Sequence, residues 1–236
     1  MKLQRQVLPE RLDVMAVADP AARRARRDLQ RVHRVMRSLS ILQDAIDSLQ
    51  MARPPRNILE LGAGDGSLML RFARSSHAAW RDVRVTFLDR QDVIDAETCR
   101  RFRQLGWDAQ VLRSDALDWA QAPAQQHYDL GVTTLFLHHF ESHALKVLLR
   151  AIAGCCRTFI ALEPRRNSIA WIGSHLLGVL GANEVTREDG VTSVVAGFAS
   201  DELSSLWPCD APGWGLREYF AWPFTHCFVA DGAASP

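Results

Sequence analysis

Two features that would place this 236-residue sequence in a familiar class are missing: an excess of positive charge and a long apolar run. Its 28 basic and 27 acidic residues leave a net charge of +1. Nucleic-acid binders usually carry a clear basic excess, so we expect no nucleic-acid partner. The longest apolar stretch, Ile169 to Ala182, has 14 residues. A bilayer-spanning helix needs about 20, so we expect no transmembrane segment.

Cysteine patterns that would indicate a metal centre or a disulfide framework are also missing. The five cysteines are odd in number and include no C-x-x-C pair: Cys99, Cys155, Cys156, Cys209 and Cys227. We therefore expect reduced thiols. The first residues lack the apolar run, about 7 to 15 residues long, of a secretory signal. Both observations lead us to expect a cytoplasmic protein.

Basic side chains are concentrated at the start of the chain, and nearly all of them are arginines. Residues 1–57 hold 12 basic and 6 acidic side chains, and the only lysines are Lys2 and Lys146. The arginines between positions 19 and 50 fall mostly off the apolar stripe of a predicted helix. They are therefore interpreted as its solvated face, and attraction to an anionic membrane or an acidic substrate is the alternative.

Helix signals divide this N-terminal region into two segments. Asp19 is placed to cap the first helix, and Pro20 follows at a position where its missing N–H has no cost. Ser40 and Gln43 form a capping-box pattern, which predicts a second helix beginning near Ser40. Two prolines after Arg53 end it.

Beyond Asn57, short apolar runs alternate with helical segments. The predicted strands are 58–61, 83–88, 109–112, 128–134, 158–162, 216–220 and 225–230, and the predicted helices are 67–75, 92–105 and 142–153. Alternating strands and helices favour a parallel sheet with helices on both faces. The last two strands are separated by only a few residues, which suits an antiparallel hairpin. We predict an α/β fold, doubly wound and mostly parallel, with seven strands and an N-terminal helical extension.

The most informative motif follows the first predicted strand, where Gly62, Gly64 and Gly66 precede a helix. Glycines at such a turn let a ligand approach backbone N–H groups at the helix N-terminus. Asp89 ends the second strand, where a carboxylate can accept hydrogen bonds from ribose hydroxyls, or can simply be a turn residue. Asp115 follows the third strand and could accept from an adenine amino group or cap a helix.

The order of these motifs over residues 56–164 resembles the class I S-adenosylmethionine-dependent methyltransferases, which implies a Rossmann-like fold and that cofactor. In that family, Glu60 with Gly62, Ala63, Gly64, Asp65 and Gly66 would hold the methionine portion. Asp89, with its neighbour Arg90, would bind the ribose. Asp115 and Ala116 would bind the adenine, and Thr133 would line the cofactor near its sulfonium. A dinucleotide-binding fold would have glycine at position 67, where this sequence has Ser67. NAD and FAD are therefore less favoured as cofactors than S-adenosylmethionine.

The flanking segments are similar to bacterial small-molecule methyltransferases of polyketide or quinone pathways. The resemblance implies a single methyltransferase domain: residues 1–55 form a helical cap, 56–164 the cofactor-binding core, and 165–236 a substrate-side helix and the final hairpin. The apolar segment from Ser168 to Gly181 could roof the acceptor pocket, with Trp171, His175 and Leu176 as lining candidates. The C-terminal aromatic cluster, Trp214, Tyr219, Phe220, Trp222 and Phe224, is interpreted with His226 as core and hairpin packing.

Histidines after the fourth strand are the candidates for chemistry. A histidine is a suitable general base for a hydroxyl acceptor, so we predict His138 or His139 in that role, with packing or capping as the alternative. His139 and His143 have i, i+4 spacing, but without a third ligand we predict no metal. Arg165 or Arg166 could hold an acidic substrate, although solvated loop charges are the simpler interpretation.

The leading hypothesis is therefore a methyltransferase acting on a hydroxyl of an aromatic, quinone or polyketide-like small molecule. No Asp-Pro-Pro-Tyr motif follows strand four, which argues against methylation of a base amino group. The alternative is an accessory protein that binds the cofactor without transferring a methyl group. An RNA methyltransferase ranks last because of the near-neutral charge. The sequence leaves the oligomeric state open.

Overall fold

A computed structural model describes residues 4–76, 79–123, 126–208 and 213–232, with the side chains of residues 179 and 180 excepted. Cys209 therefore lies outside the described residues. The strands within these ranges are β1 (Asn57–Leu61), β2 (Val83–Asp89), β3 (Trp107–Arg113), β4 (Leu130–Thr134), β5 (Thr158–Pro164), β6 (Trp214–Ala221) and β7 (Thr225–Gly232). They form one seven-stranded sheet in the order β3-β2-β1-β4-β5-β7-β6.

Strands β1 to β5 are parallel, and β7 pairs antiparallel with both β5 and β6. The predicted doubly wound sheet with a C-terminal hairpin is confirmed. The chain winds outward from β1 in one direction to β3 and then returns to β4 on the other side of β1. Open α/β sheets bind ligands at the carboxyl ends of the strands at such a switch point. Register places the ends of β1 and β4 side by side, with Leu61 opposite Thr133.

The helices are α1 (Arg11–Val14), α2 (Pro20–Val35), α3 (Ser38–Asp47), α4 (Ser67–Ser76), α5 (Ala96–Gln104), α6 (Ala116–Gln121), α7 (Ser142–Cys155), α8 (Ser168–His175), α9 (Glu184–Ala196) and α10 (Glu202–Leu206). Short 3-10 turns lie at Leu137–His139 and Leu176–Leu180. Helices α3 to α5 contribute to the hydrophobic cluster on one sheet face, and α6, α7 and α10 to that on the other. No helix among the described residues is long and apolar enough to cross a membrane.

The predicted start of the N-terminal helix is confirmed, because Asp19 accepts hydrogen bonds from the N–H groups of Ala21 and Ala22. The second helix predicted to begin near Ser40 is present and begins at Ser38, but the capping box predicted for it is absent. The chain breaks earlier, at Arg37, which has a left-handed backbone (φ 57°), and α3 begins at Ser38 without a side-chain cap. Gln43, the other half of the presumed capping box, instead donates to Ser75.

Helix α9 was not predicted, because its sequence has little amphipathic periodicity and contains Gly190. It nevertheless packs against α8, α2 and α1 and so covers the carboxyl edge of the sheet. Asn183 caps it by accepting from the N–H of Thr186. Packing against other helices therefore stabilises α9 more than the periodicity of its own sequence does.

Candidate active site

A cavity of about 820 Å³ lies at the carboxyl edge of the sheet, over the switch point between β1 and β4. Its floor comes from the strand ends and the turns that follow them. Its walls come from α2, α8, α9 and an N-terminal segment, residues 4–15, which we call the N-terminal strap. Residues from both ends of the chain and from its middle therefore meet in one chamber.

The glycine turn forms one end of this chamber. Gly62, Gly64 and Gly66 all have left-handed backbones, with φ of 65°, 54° and 68°. A Cβ on Gly62 would lie 2.3 Å from the ring of Phe136, so this position excludes any side chain. At Gly64, nothing lies within 4 Å of the point that a Cβ would occupy, which leaves the backbone open to a ligand.

Asp89 holds the glycine turn against the end of β2. Its Oδ2 accepts from the N–H of Gly64 at 2.8 Å, and its Oδ1 accepts from Gln91 at 2.8 Å. Burial raises the pKa of this carboxyl, although the two backbone hydrogen bonds oppose the shift. Each oxygen keeps a further lone pair, so the geometry leaves acceptor capacity for ribose hydroxyls. Its neighbour Arg90 lines the cavity and donates to the carbonyl of Asp13 at 2.6 Å.

Asp115 caps a helix and also faces the cavity. It caps α6 by accepting from the N–H of Leu117 at 2.8 Å through Oδ1. It also lines the cavity together with Ser114 and Ala116. Its second oxygen is therefore available at the predicted adenine end.

Asp65, from the glycine turn, accepts a hydrogen bond from Gln30 of α2 at 2.7 Å. This hydrogen bond joins the wall of the cavity to its floor.

Two polar atoms on the cavity floor have no partner within the described structure, Glu60 Oε2 and Thr134 Oγ1. Burial raises the pKa of Glu60 to about 8, with further contributions from Asp65 and Asp89. A buried, unsatisfied carboxyl is costly unless a ligand completes it. This donor-poor floor fits the ammonium group of a methionine portion, so the residues present suit the predicted cofactor.

Thr133, which the resemblance placed beside the sulfonium, does not line the cavity. Its hydroxyl donates to the carbonyl of Leu61 at 2.9 Å inside the sheet. Neighbouring side chains of a strand point to opposite faces, so it is Thr134 that lines the cavity. The cavity-lining threonine is thus one residue later than expected, because the motif alone does not fix which face of the sheet each side chain of the strand points to.

His138 forms the centre of a buried ion network on the acceptor side. Its Nδ1 lies 2.8 Å from Glu163 Oε2, and its Nε2 lies 3.2 Å from Glu10 Oε1. Glu163 also accepts from the N–H groups of Phe136 and Leu137. Burial alone would lower the pKa of His138, but hydrogen bonds to both carboxylates outweigh it and raise the pKa to about 9. At neutral pH this ring is a cation, not a proton acceptor.

His139 has the opposite character. Burial lowers its pKa, and the charged ring of His138, centred 4.2 Å away, lowers it further. Its Nδ1 lies 3.2 Å from Asp13 Oδ2. That contact favours a tautomer with the proton on Nδ1 and a free lone pair on Nε2. His139 lines the cavity, whereas His143 is exposed on α7 and lies outside it.

The N-terminal strap that carries Glu10 and Asp13 is fixed at both ends. Arg5 donates to the carbonyl of Ala196 at 2.8 Å and to that of Phe140 at 2.9 Å. The backbone N–H groups of Arg11 and Leu12 both donate to the Asp189 carboxylate of α9. Glu10, Asp13 and Asp189 have no role that the sequence pattern indicates, because the partners of their carboxylates lie at least 77 residues away along the chain.

The remaining acceptor-side lining is mostly apolar and comes from α2, α8 and the hairpin: Leu29, Val32, Met36, Ala170, Leu177 and Phe224. His33 of α2 is the exception. Burial lowers its pKa to about 4, and its Nδ1 lies 3.1 Å from Ser38 Oγ. Of the predicted lining residues, Leu176 faces the cavity. Trp171 and His175 lie outside it, with their ring centres 4.3 Å apart.

The two arginines after β5 do not line the cavity. Arg165 stacks over the ring of Phe220, and Arg166 pairs with Glu202 at 2.5 Å. Within the described residues, Glu10, His138 and His139 place ligand atoms within 4.8 Å of one another, which is a spacing that a metal could use. Both nitrogens of His138 already contact carboxylates, so we describe the cluster as an ion network.

Residues 58–158 match the methyltransferase domain family. Among solved structures, this chain is similar to the plantazolicin methyltransferase BpumL in complex with SAH, at 15% identity over 91% of each chain and a TM-score of 0.66. It also resembles a putative O-methyltransferase of Nostoc punctiforme PCC 73102, at 14% identity over 97% of this chain and 64% of that one, with a TM-score of 0.60.

A third similar structure is an O-methyltransferase family protein from Burkholderia thailandensis, at 13% identity over 91% of this chain and 63% of that one, with a TM-score of 0.57. At these identities the likeness concerns the fold. No curated protein sequence matches this chain.

Proposed function

We propose that this protein transfers a methyl group from S-adenosylmethionine to a hydroxyl oxygen of a small apolar acceptor, such as an aromatic, quinone or polyketide-like compound. The observation that carries the proposal is the 3.2 Å contact between His139 Nδ1 and Asp13 Oδ2 in the same cavity as the glycine turn. The apolar lining from α2, α8 and the hairpin favours an apolar acceptor.

The cofactor would lie along the strand ends. Glu60 and the turn from Gly62 to Gly66 would hold the amino-acid portion, because Glu60 Oε2 lacks a partner and Gly64 leaves the backbone accessible. Asp89 and Arg90 would hold the ribose, and Asp115 with Ala116 the adenine. When bound, S-adenosylmethionine supplies an electrophilic methyl group on a sulfonium. Alignment of donor and acceptor by the cavity then supplies much of the rate.

Proton removal is assigned to His139. Because its pKa is lowered, the ring is neutral near pH 7 and can accept the proton of an acceptor hydroxyl. Asp13 is a positioning residue that orients the ring and stabilises the imidazolium that forms. His138 stays protonated between Glu10 and Glu163. It fixes the strap to the end of β5 and keeps the pKa of His139 low.

In this proposal the chain works as a single methyltransferase domain, in which residues 1–55 cap a cofactor-binding core at 56–164 and residues 165–236 complete the acceptor wall. The competing interpretation is an accessory protein that binds the cofactor without transfer. The His139–Asp13 pair favours transfer, because a scaffold has no need for an oriented base in the cavity.

Two measurements test the proposal. Calorimetric titration with S-adenosylhomocysteine should show micromolar binding that Asp89→Ala weakens by about tenfold or more, about 1.4 kcal/mol. Transfer of a labelled methyl group to a panel of phenols, quinones and polyketide-like hydroxyls should then fall at least about 100-fold in His139→Ala, in line with the loss of a general base. The matched control is His143→Ala, which removes an exposed histidine four residues away. Label on carbon would overturn the oxygen assignment, and tight binding without transfer would favour the scaffold.

A further inference from the structure

Helix α8 is apolar on both of its faces, although one of them is exposed. Ala170 and Gly173 line the cavity. Ile169, Ile172 and Leu176, at spacings of three and four, are 69%, 55% and 56% exposed. Surface helices normally turn a polar face to water, so this stripe needs a separate explanation.

The turn between β6 and β7 continues the same apolar surface. Trp222 is 67% exposed, Phe220 43% and Tyr219 38%, so three rings of the aromatic cluster that was interpreted as core and hairpin packing are exposed instead. Phe224 lies between the turn and α8, 3.3 Å from where a Cβ of Gly173 would be. We call Ile169, Ile172, Leu176, Phe220 and Trp222 the docking surface.

Cationic side chains border the docking surface. The guanidinium of Arg37 lies 5.8 Å from the centre of the Trp222 ring, and that of Arg165 lies 3.8 Å from the centre of the Phe220 ring. Arg37 directly follows α2, whose arginines at 23, 24, 27, 31 and 34 are exposed, whereas its only acidic residue, Asp28, is buried. An apolar surface bordered by the exposed Arg37 and the half-buried Arg165 complements a surface that is apolar inside and anionic outside.

We propose that the docking surface binds the protein to an anionic phospholipid bilayer. Ile169, Ile172 and Trp222 enter the boundary between headgroups and acyl chains, and Arg37 and Arg165 contact lipid phosphates. A second copy of the chain fits less well, because a two-fold interface would bring the same arginines together.

The docking surface also borders the acceptor cavity. Leu176 belongs to both, and Phe224 connects them. A lipophilic acceptor dissolved in the bilayer would therefore meet the cavity wall directly. This consequence for acceptor delivery rests on the proposed function, whereas membrane docking itself does not.

Co-sedimentation of the full chain with vesicles tests docking without any assay of methyl transfer. We expect binding to vesicles of phosphatidylcholine mixed with phosphatidylglycerol, weaker binding to phosphatidylcholine alone, and further weakening by salt. The double variant Ile169→Ser/Ile172→Ser should weaken binding to the anionic vesicles about tenfold or more. The matched control is Val111→Ser, which removes an exposed apolar side chain from β3 at the opposite edge of the sheet.

Three outcomes would overturn the proposal. These are no binding of the wild type to anionic vesicles, equal binding by the double variant, and a wild-type dimer that the double variant converts to monomer in light scattering. Thermal unfolding of each variant checks that it is folded. If docking succeeds while transfer to the whole panel of phenols, quinones and polyketide-like hydroxyls fails both with and without vesicles, only the proposed function is lost.

Discussion

The two ends of the cavity are built in different ways. The cofactor end consists of short contiguous segments, residues 60–66, 89–91 and 114–116, each directly after a parallel strand. The acceptor end assembles single residues from distant parts of the chain, such as Glu10, His33, His138 and Asp189. A ligand site made of local turns can be read from sequence, whereas one made of remote contacts depends on how the elements pack.

The two ends also differ in how their buried charges are satisfied. At the cofactor end, burial raises the pKa of Glu60 and of Asp89, and Glu60 has an oxygen without a partner. At the acceptor end, burial would raise the pKa of Glu10, but its hydrogen bond from His138 lowers it. Within the described residues, the proposed cofactor end therefore keeps a buried acceptor without a partner, whereas Glu10 at the proposed acceptor end is hydrogen-bonded by His138 and Ser193.

The largest effect is expected from His138→Ala, which removes the cation that the acceptor end depends on. Glu10 and Glu163 would stay buried without it, so we expect a loss of about 3 to 5 kcal/mol of unfolding free energy near pH 7. Because the folded pKa is about 9 and the unfolded value about 6.5, His138 stabilises fully below pH 6.5. This stabilisation is lost as the pH rises through 9.

Denaturant unfolding of wild type and variant from pH 6 to 10 measures this difference. The difference in unfolding free energy between wild type and His138→Ala should become smaller toward high pH. The control His143→Ala should show no such trend, since His143 is exposed. A gap independent of pH would mean that His138 is not the cation of the network.

Gly62→Ala tests the cofactor end by steric means. The new Cβ would meet the Phe136 ring and would also require a left-handed backbone, so we expect a loss of about 3 kcal/mol. Gly64→Ala shares the left-handed backbone but has open space, so it should cost only about 1 kcal/mol. Urea unfolding compares them. Equal losses would contradict close packing at Gly62.

Glu60→Gln should affect stability and cofactor affinity in opposite directions. The raised pKa of Glu60 favours folding fully only below its unfolded value of about 4.3, and this contribution is lost as the pH rises through about 8. A neutral glutamine removes that loss, so the free variant should unfold at a higher temperature at pH 8. Its affinity for S-adenosylhomocysteine should fall about tenfold.

Calorimetry in two buffers of different ionisation enthalpy gives an independent check. Wild type should release a proton when S-adenosylhomocysteine binds at pH 7, because the ligand's ammonium group favours the ionised carboxylate. The variant should release less. If both proteins release the same number of protons, Glu60 is not the group that loses a proton when S-adenosylhomocysteine binds.

The smallest effects should come from a matched pair on β4. Thr134→Val removes a hydroxyl that has no partner in the free protein, so it should weaken S-adenosylhomocysteine binding by a factor of about 3 to 10 and leave stability unchanged. Thr133→Val removes a hydrogen bond to Leu61, so it should lower stability by about 1 kcal/mol and leave binding unchanged. If Thr133→Val weakened binding and Thr134→Val lowered stability, Thr133 and not Thr134 would contact the ligand.

Much of the fold could be predicted because its signals are local. Strand and helix periods, the Asp19 cap and the short link between the last two strands all act within a few residues, and each was confirmed. Helix α9 was missed because it lacks such a pattern and is held by packing. The identity of the base stays a prediction, but the sequence offered His138 and His139 as equals, and only their partners distinguish them.

The sequence by itself determined the sheet, the glycine turn and the carboxylates at the strand ends, because parallel strands bring every such turn to one edge. Only the tertiary structure decided which threonine lines the cavity and which histidine is a cation. It also decided that Glu10 and Asp13 join the site. A pKa or an exposed face depends on what lies within a few ångströms, and in this protein Glu10 and Asp13 reach His138 and His139 from about half the chain length away.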